Sequence, residues 1–342
     1  MRAQRLPGAG EEAAFLAAQG LTLRRLRAAW RAVRAAMPPT PLLESPDLSR
    51  RLGRPVWLKA EVATPVRAFK VRGAVAKVAE LRARNEAGGL VTASAGNHGL
   101  AVAWAGRRAG LPVTVYVPRG ANPVKVAAIA ALGAEVCRTG IDYQEAAEAA
   151  EECARRTGKR LAHPFDDPAV IAGQATVGRE IACSLPDVAE VAVAVGGGGL
   201  AAGVGAALAL WAPAARVVGV EMRGADSMLR SLAAGHVVAL ERVHTVADGL
   251  APRAVSERTL RTVARYARVL PLEDESLYPA MRWLVERERL LAEPSGAATV
   301  AAALEGLLAG EGPLVLVVSG ANVTPADLAR ALAAPLPEVG GA

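Results

Sequence analysis

VAVAVGGGGLAAGVGAALALWAPAA, residues 191–215, contains no charged side chain. An apolar stretch of that length satisfies the first requirement of a membrane-spanning helix, roughly 20 residues. Four consecutive glycines, Gly196 to Gly199, followed by Gly203 and Gly205, argue against a span, because each glycine inside a helix costs about 1 kcal/mol relative to alanine. The parse that accommodates them is a buried strand (VAVAV), a glycine turn and an alanine-rich helix. That succession is half of a βαβ unit and sets the expectation for the rest of the chain.

Working outward, comparable runs begin at Val56 (VWLKAE), Gly89 (GLVTAS), Val113 (VTVYVP), Ala134 (AEVCR), Val188 (VAEVAVAV), Arg216 (RVVGVEM) and Pro313 (PLVLVVS). Most lack clean polar alternation, as parallel strands buried on both faces do. Helix-like segments separate them, so an α/β fold with mostly parallel strands is expected. Near the start, Leu23, Leu26, Trp30, Val33 and Met37 recur at helical spacing, with Arg24, Arg27, Arg31 and Arg34 off that face as a solvated surface. Pro38, Pro39 and Pro41 end this helix. The tail past Leu336 reads as disordered.

Composition narrows the function classes. The chain has 342 residues, is 52% hydrophobic and 21% charged, and can bury a large core. Its formal charge of +7 and pI of 9.8 suggest a polyanion partner. However, the arginines are dispersed and aromatics make up only 4%, so no nucleic-acid surface is expected. Cys137, Cys153 and Cys183 lack metal-clip or redox spacing, and an odd count argues against a disulfide framework. With no secretory signal at the start, the expected setting is cytoplasmic, without membrane attachment.

Four motifs can carry chemistry, each where a strand hands over to a loop or helix, the edge at which α/β sheets bind ligands. In AFKVRGA (68–74), Val71, Ala74, Val75, Val78 and Leu81 continue as an apolar face, placing Lys70 in the first helical turn. The helix dipole and partial burial disfavour an ammonium there, so Lys70 suits a nucleophilic amine. Taken alone, it better fits a lysine whose stem merely covers the helix. SAGNHG (94–99) can receive a carboxylate on backbone amides and the Ser94 hydroxyl, with Asn97 offering an amide. An ordinary strand-to-helix turn capped by Asn also explains it. GGGGL (196–200) stacks bare amides at a helix start, an anion nest for a phosphate. It lacks the Lys-Ser/Thr ending of a nucleotide loop and the spaced glycines of a dinucleotide site. SGAN (319–322) ends a strand with Ser319, which suits either a ring nitrogen or a turn. The four histidines show no metal spacing, and Glu293 in AEPSGA suits a helix-start carboxylate or a ligand site.

In this order, the motifs resemble the threonine/serine dehydratases, pyridoxal-phosphate enzymes of the tryptophan-synthase-β fold. The resemblance runs from about Leu21 to Arg330 and includes PPTPLL, ANPVKVAAIAALGAEV, HPFDDPAVIAGQATVGRE, ADGLAPRAV and AEPSGAA. It implies two open, twisted, mostly parallel sheets flanked by helices. A large domain would comprise 1–88 and 161–342, and a small one 89–160. It implies that Lys70 is the Schiff-base lysine and the catalytic residue, with Phe69 beside it in the cofactor site. Asn97 would meet the cofactor's phenolic oxygen, Gly196, Gly197, Gly198, Gly199 and Leu200 its phosphate, and Ser319 its ring nitrogen. Ser94, Ala95, Gly96, Asn97 and His98 would bind the substrate carboxylate. Lys70 would remove the α-proton of L-threonine, or of L-serine, and the β-hydroxyl would leave with the cofactor phosphate as acid. The enamine released would hydrolyse to 2-oxobutyrate or pyruvate and ammonia. The resemblance also implies a homo-oligomer, dimer or tetramer.

Departures from the family pattern carry information. Ala95 stands where related racemases have a serine, which favours dehydration over racemisation. Ser227 replaces the aspartate that completes a cation site with Glu221 and Ala225 in some relatives, so no metal is expected. No regulatory domain is expected past Arg330. Within the family the alternative is a dehydratase of another β-hydroxy amino acid or of a hydroxyectoine-derived compound. Outside it, the alternative is a non-catalytic homologue, against which retention of Lys70 and the cofactor contacts argues.

Overall fold

The structure, a computed structural model, describes residues 9–340. Its strands are β1 (Leu42–Glu44), β2 (Val56–Ala60), β3 (Leu90–Ala93), β4 (Val113–Val117), β5 (Glu135–Arg138), β6 (Arg160–Leu161), β7 (Glu190–Val195), β8 (Arg216–Met222), β9 (Ala267–Leu272) and β10 (Leu314–Val318). They form a six-stranded sheet, β1-β2-β10-β7-β8-β9, and a four-stranded sheet, β5-β4-β3-β6. Every pairing is parallel except that of the edge strand β1 with β2. The central strands β7 and β10 are buried at every residue, which explains their unbroken apolar sequence.

The stretch at 191–215 folds as the glycines require. Strand β7 ends at Val195, and helix Gly199–Trp211 follows from Gly198, whose φ of 83° is a conformation that favours glycine. Among the described residues, no helix is long and apolar enough to cross a membrane.

Three strands escape the apolar-run criterion: β1 and β6 are too short, and β9 carries Pro271. Strand β9 tolerates the proline because it is an edge, paired on one side only. The tail also departs from expectation. Arg51 Nη1 donates to the Glu338 carbonyl at 2.6 Å and Val339 packs on the core, so the chain stays docked to that point.

Three helices hold the two halves of the functional edge together. Helix Pro168–Ser184 lies between helix Lys70–Ala83 and helix Gly199–Trp211. A Cβ on Gly203 would come 2.7 Å from the Ala175 amide nitrogen, and one on Gly73 would come 2.7 Å from Val170 Cγ1. Small residues thus let the backbones approach closely and fix Lys70 relative to the glycine turn.

Beneath this triple packing lies a buried ionic cluster. Arg72, fully buried, donates from Nε to Glu61 Oε2 at 2.6 Å and from Nη1 to Glu180 Oε1 at 2.8 Å. Its Nη2 also reaches Glu61 Oε1 and Glu180 Oε2, each at 2.8 Å, and Lys59 Nζ donates to Glu180 Oε2 at 2.6 Å. Burial alone would raise the Glu180 carboxyl, but its bonds to Arg72 and the two neighbouring cations hold it below the usual range. Two cations and two carboxylates balance inside the protein, with Arg72 two residues past Lys70 on the same helix.

Candidate active site

The parallel strands of the large sheet end at one edge, and the loops leaving β2, β7 and β10 meet there. Those loops carry Lys70, the glycine turn and Ser319. The loop after β3 brings Ser94 to His98 across from the smaller sheet. Together they line a cavity of about 490 Å³, within the usual range for a small-molecule site. Phe69, Lys70, Asn97, Gly196, Leu200 and Ser319 all reach its wall. So do Ser94, Ala95, Gly96, His98 and Gly197 to Gly199, so the structure brings every candidate site residue to one place.

Lys70 is the first residue of helix Lys70–Ala83, as expected. The segment before it is stitched to the SGAN motif: the Phe69 amide donates to the Ser319 carbonyl at 3.0 Å and the Ala321 amide to the Arg67 carbonyl at 2.8 Å. Lys70 Nζ donates to the Pro164 carbonyl at 3.0 Å, and its other N–H groups have no acceptor among the described residues. Desolvation lowers its pKa from 10.5 to about 8, leaving a substantial neutral fraction near neutral pH.

Helix Asn97–Ala109 begins at Asn97, three residues earlier than its apolar pattern suggests. Asn97 is therefore not the cap. Its Nδ2 donates to Glu293 Oε1 at 2.5 Å, and its Oδ1 accepts from Asn322 Nδ2 at 2.6 Å. Burial pushes the Glu293 carboxyl up to about 7, against the bond from Asn97. Ser94 Oγ accepts the Gly96 amide at 3.2 Å, shaping the loop.

His98 is buried, and its Nε2 lies 2.8 Å from the Ala162 carbonyl. A carbonyl only accepts, so Nε2 carries the proton and Nδ1 is a bare acceptor. Burial first, then the nearby Lys70 charge, lowers the imidazole pKa to about 3, so the ring is neutral. Ser319 is buried and its Oγ donates to the Ser295 carbonyl at 3.4 Å, a long bond that leaves its lone pairs open.

The glycine turn is a fitted cradle. A Cβ on Gly197 would collide with the Phe165 ring, one on Gly198 would lie 2.6 Å from Met228 Cε, and one on Gly196 would lie 2.9 Å from Leu250 Cα. Only bare backbone fits. Among the described residues, no acceptor meets the amide N–H groups of Gly197 to Ala201. Five donors at a helix N-terminus, without a partner and beside a cavity, suit a phosphate. An amine of lowered pKa and a neutral hydroxyl share the same cavity, so the donor set fits a phosphorylated aldehyde with a heteroaromatic ring.

The cation position implied by the resemblance is differently used. Glu221 is fully buried, and its two oxygens accept the Met228 and Leu229 amides, each at 2.8 Å, at the start of helix Ser227–Ala234. Among the described residues, no cluster of three or more His, Cys, Asp or Glu side chains is arranged to hold a metal.

The chain belongs to the family of pyridoxal-phosphate-dependent enzymes, whose family pattern matches residues 33–320. It is 38% identical over 304 residues to the L-threonine ammonia-lyase of Thermotoga maritima, covering 89% of this chain and 76% of that protein. Among solved structures, the processed threonine deaminase isoform 2 of Solanum lycopersicum superposes with a TM-score of 0.85 at 33% identity, covering 95% of this chain and 88% of that one. Maize serine racemase also superposes with a TM-score of 0.85, at 30% identity, covering 91% of this chain and 96% of that one. Both match the two-sheet architecture described above.

Proposed function

We propose that this protein is an ammonia-lyase that eliminates water from L-threonine, and also from L-serine, giving 2-oxobutyrate or pyruvate and ammonia. The observation that carries the proposal is the meeting of Lys70 and the unsatisfied glycine amides in one cavity. Similarity to the ammonia-lyase and deaminase named above supports threonine as the substrate. Pyridoxal phosphate, when bound, supplies an aldehyde for amines and an electron sink for the α-carbon.

Each residue has a task in this reading. The amides of Gly196 to Leu200 would hold the phosphate, Phe69 would lie beside the cofactor, and Asn97 and Ser319 would offer hydrogen bonds to its phenolic oxygen and ring nitrogen. A neutral hydroxyl does not keep that nitrogen protonated as a carboxylate would, which moderates the electron sink and favours elimination over transamination. Ser94 to His98 take the substrate carboxylate on backbone amides. Lys70 then accepts the α-proton on Nζ, with the Pro164 carbonyl in place to hold the resulting ammonium. Ala95 offers no proton acceptor at that loop position, in keeping with elimination.

The separate sheet formed by β3, β4 and β5 supports a division into 1–88 with 161–342 and 89–160, with β6 straddling the second boundary. The three cysteines are free, which supports a cytoplasmic setting; the homo-oligomer rests on the family resemblance alone.

The test is product formation. Purified protein supplied with pyridoxal phosphate should release 2-oxobutyrate from L-threonine and, more slowly, pyruvate from L-serine. Sulfide-dependent turnover of O-acetylserine without oxo-acid release from threonine would refute the proposal and favour β-replacement.

A further inference from the structure

Asn97, Glu293 and Asn322 come from three separate parts of the chain: the β3 loop, the turn before helix Pro294–Leu304, and the SGAN motif. They form one continuous chain of hydrogen bonds. Asn322 Nδ2 donates to the Val66 carbonyl at 2.9 Å and to Asn97 Oδ1 at 2.6 Å, which uses both of its protons. Asn97 Nδ2 in turn donates one proton to Glu293 Oε1 at 2.5 Å. With Oδ1 accepting from an amide and Nδ2 donating to a carboxyl, only one orientation of the Asn97 amide satisfies both partners. One Nδ2 proton is left over, on a side chain that lines the cavity.

The surroundings hold this chain in place. Glu293 is only 9% exposed, and a Cβ on Gly320 would collide with its Oε1. The glycine of SGAN therefore makes room for the carboxyl. The Glu293 amide also donates to the Gly320 carbonyl at 3.0 Å, tying the same two segments through backbone. Glu293 Oε2 has no hydrogen-bond partner among the described residues, and Glu293 lines the cavity. A terminal amide free at both ends would rotate among several orientations. Bonded at both ends, it presents one donor in one direction, which is the condition for a specific contact.

We propose that Glu293 and Asn322 are positioning residues that fix the side-chain amide of Asn97, so that its remaining proton points at the bound cofactor. The inference rests on the reading that Asn97 meets the cofactor, and it adds the two residues that make that contact directional. Neither residue needs to touch a reacting atom.

The test is a double-mutant cycle read by cofactor affinity and by the visible absorption band of the holoenzyme, with pyridoxal phosphate as the titrant. Asn322→Ala and Glu293→Ala should each weaken cofactor binding about tenfold, the scale of one lost hydrogen bond in a desolvated site, and should shift the visible band. In an Asn97→Ala background both should change affinity by less than about twofold, because nothing is left to position. Far-UV circular dichroism and melting curves show that each variant is folded. Asn322→Asp retains an acceptor but loses the donor to Asn97, so it should behave like Asn322→Ala. Additive losses, with an undiminished effect of Asn322→Ala when Asn97 is already absent, would overturn this inference while leaving Asn97 in contact with the cofactor. An Asn97→Ala variant with unchanged affinity and an unchanged band would overturn both the contact and its positioning.

Discussion

Replacing Arg72 by methionine tests how the interior holds the start of the Lys70 helix. The guanidinium makes four bonds of 2.6–2.8 Å to Glu61 and Glu180, and further bonds to Thr176 Oγ1 at 2.9 Å and Thr40 Oγ1 at 3.1 Å. Both carboxylates are almost wholly buried. Methionine matches the volume but strands two buried anions with Lys59 as the only nearby ammonium, a loss of about 3–5 kcal/mol. Arg72→Lys keeps the charge but not the fork, and should lose about 1–3 kcal/mol. Most of the cost lies in the stranded carboxylates, so adding Glu180→Gln to Arg72→Met should recover about 1–2 kcal/mol. Urea unfolding of the cofactor-free protein, followed by circular dichroism, measures all four stabilities. A loss below about 1 kcal/mol for Arg72→Met, or a double variant no more stable than Arg72→Met, would refute this reasoning.

Two further outcomes follow from the cavity. With the Lys70 pKa lowered from 10.5 to about 8, roughly a quarter of its amine is neutral at about pH 7.5, against about one part in a thousand for an unshifted lysine. Labelling of Lys70 in cofactor-free protein by an amine-reactive reagent, followed by peptide mapping, should therefore rise through about pH 8 and level off by about pH 9. A rate still rising tenfold per unit beyond about pH 9 would show an ordinary lysine. Gly197→Ala places a methyl group in the Phe165 ring, so the loop must shift. Pyridoxal phosphate affinity should fall by about 10-fold or more, the cost of misplaced donors at an anion site, as measured by titration of the visible band. Unchanged affinity would show that this loop does not hold the phosphate.

Local pattern in the chain conveyed most of the architecture. Apolar runs marked seven strands, six of them buried at nearly every residue and the seventh, the edge strand β5, with none buried. The edges β1 and β9 and the two-residue β6 were illegible, since pairing and not side-chain pattern creates them. Lys70, the glycine turn and Ser319 were legible because strand ends and helix starts announce themselves. Asn97 was legible as a candidate that lines the cavity but not as the first residue of its helix. Its engagement with Glu293 and Asn322 is invisible in sequence, where the three stand far apart. The ionic cluster around Arg72 was hidden for the same reason, with partners at 40, 61, 176 and 180 joined only by packing. The docked tail shows the converse: a weakly patterned segment held by one arginine and one valine.

The most direct test of the central claim is to load the protein with pyridoxal phosphate, reduce it with borohydride and map the modified peptide by mass spectrometry. The reduced cofactor should sit on Lys70 alone, and Lys70→Ala should carry no modification and release no 2-oxobutyrate from L-threonine. A label on Lys59, Lys77 or Lys125 in place of Lys70, or full turnover by Lys70→Ala, would contradict the account.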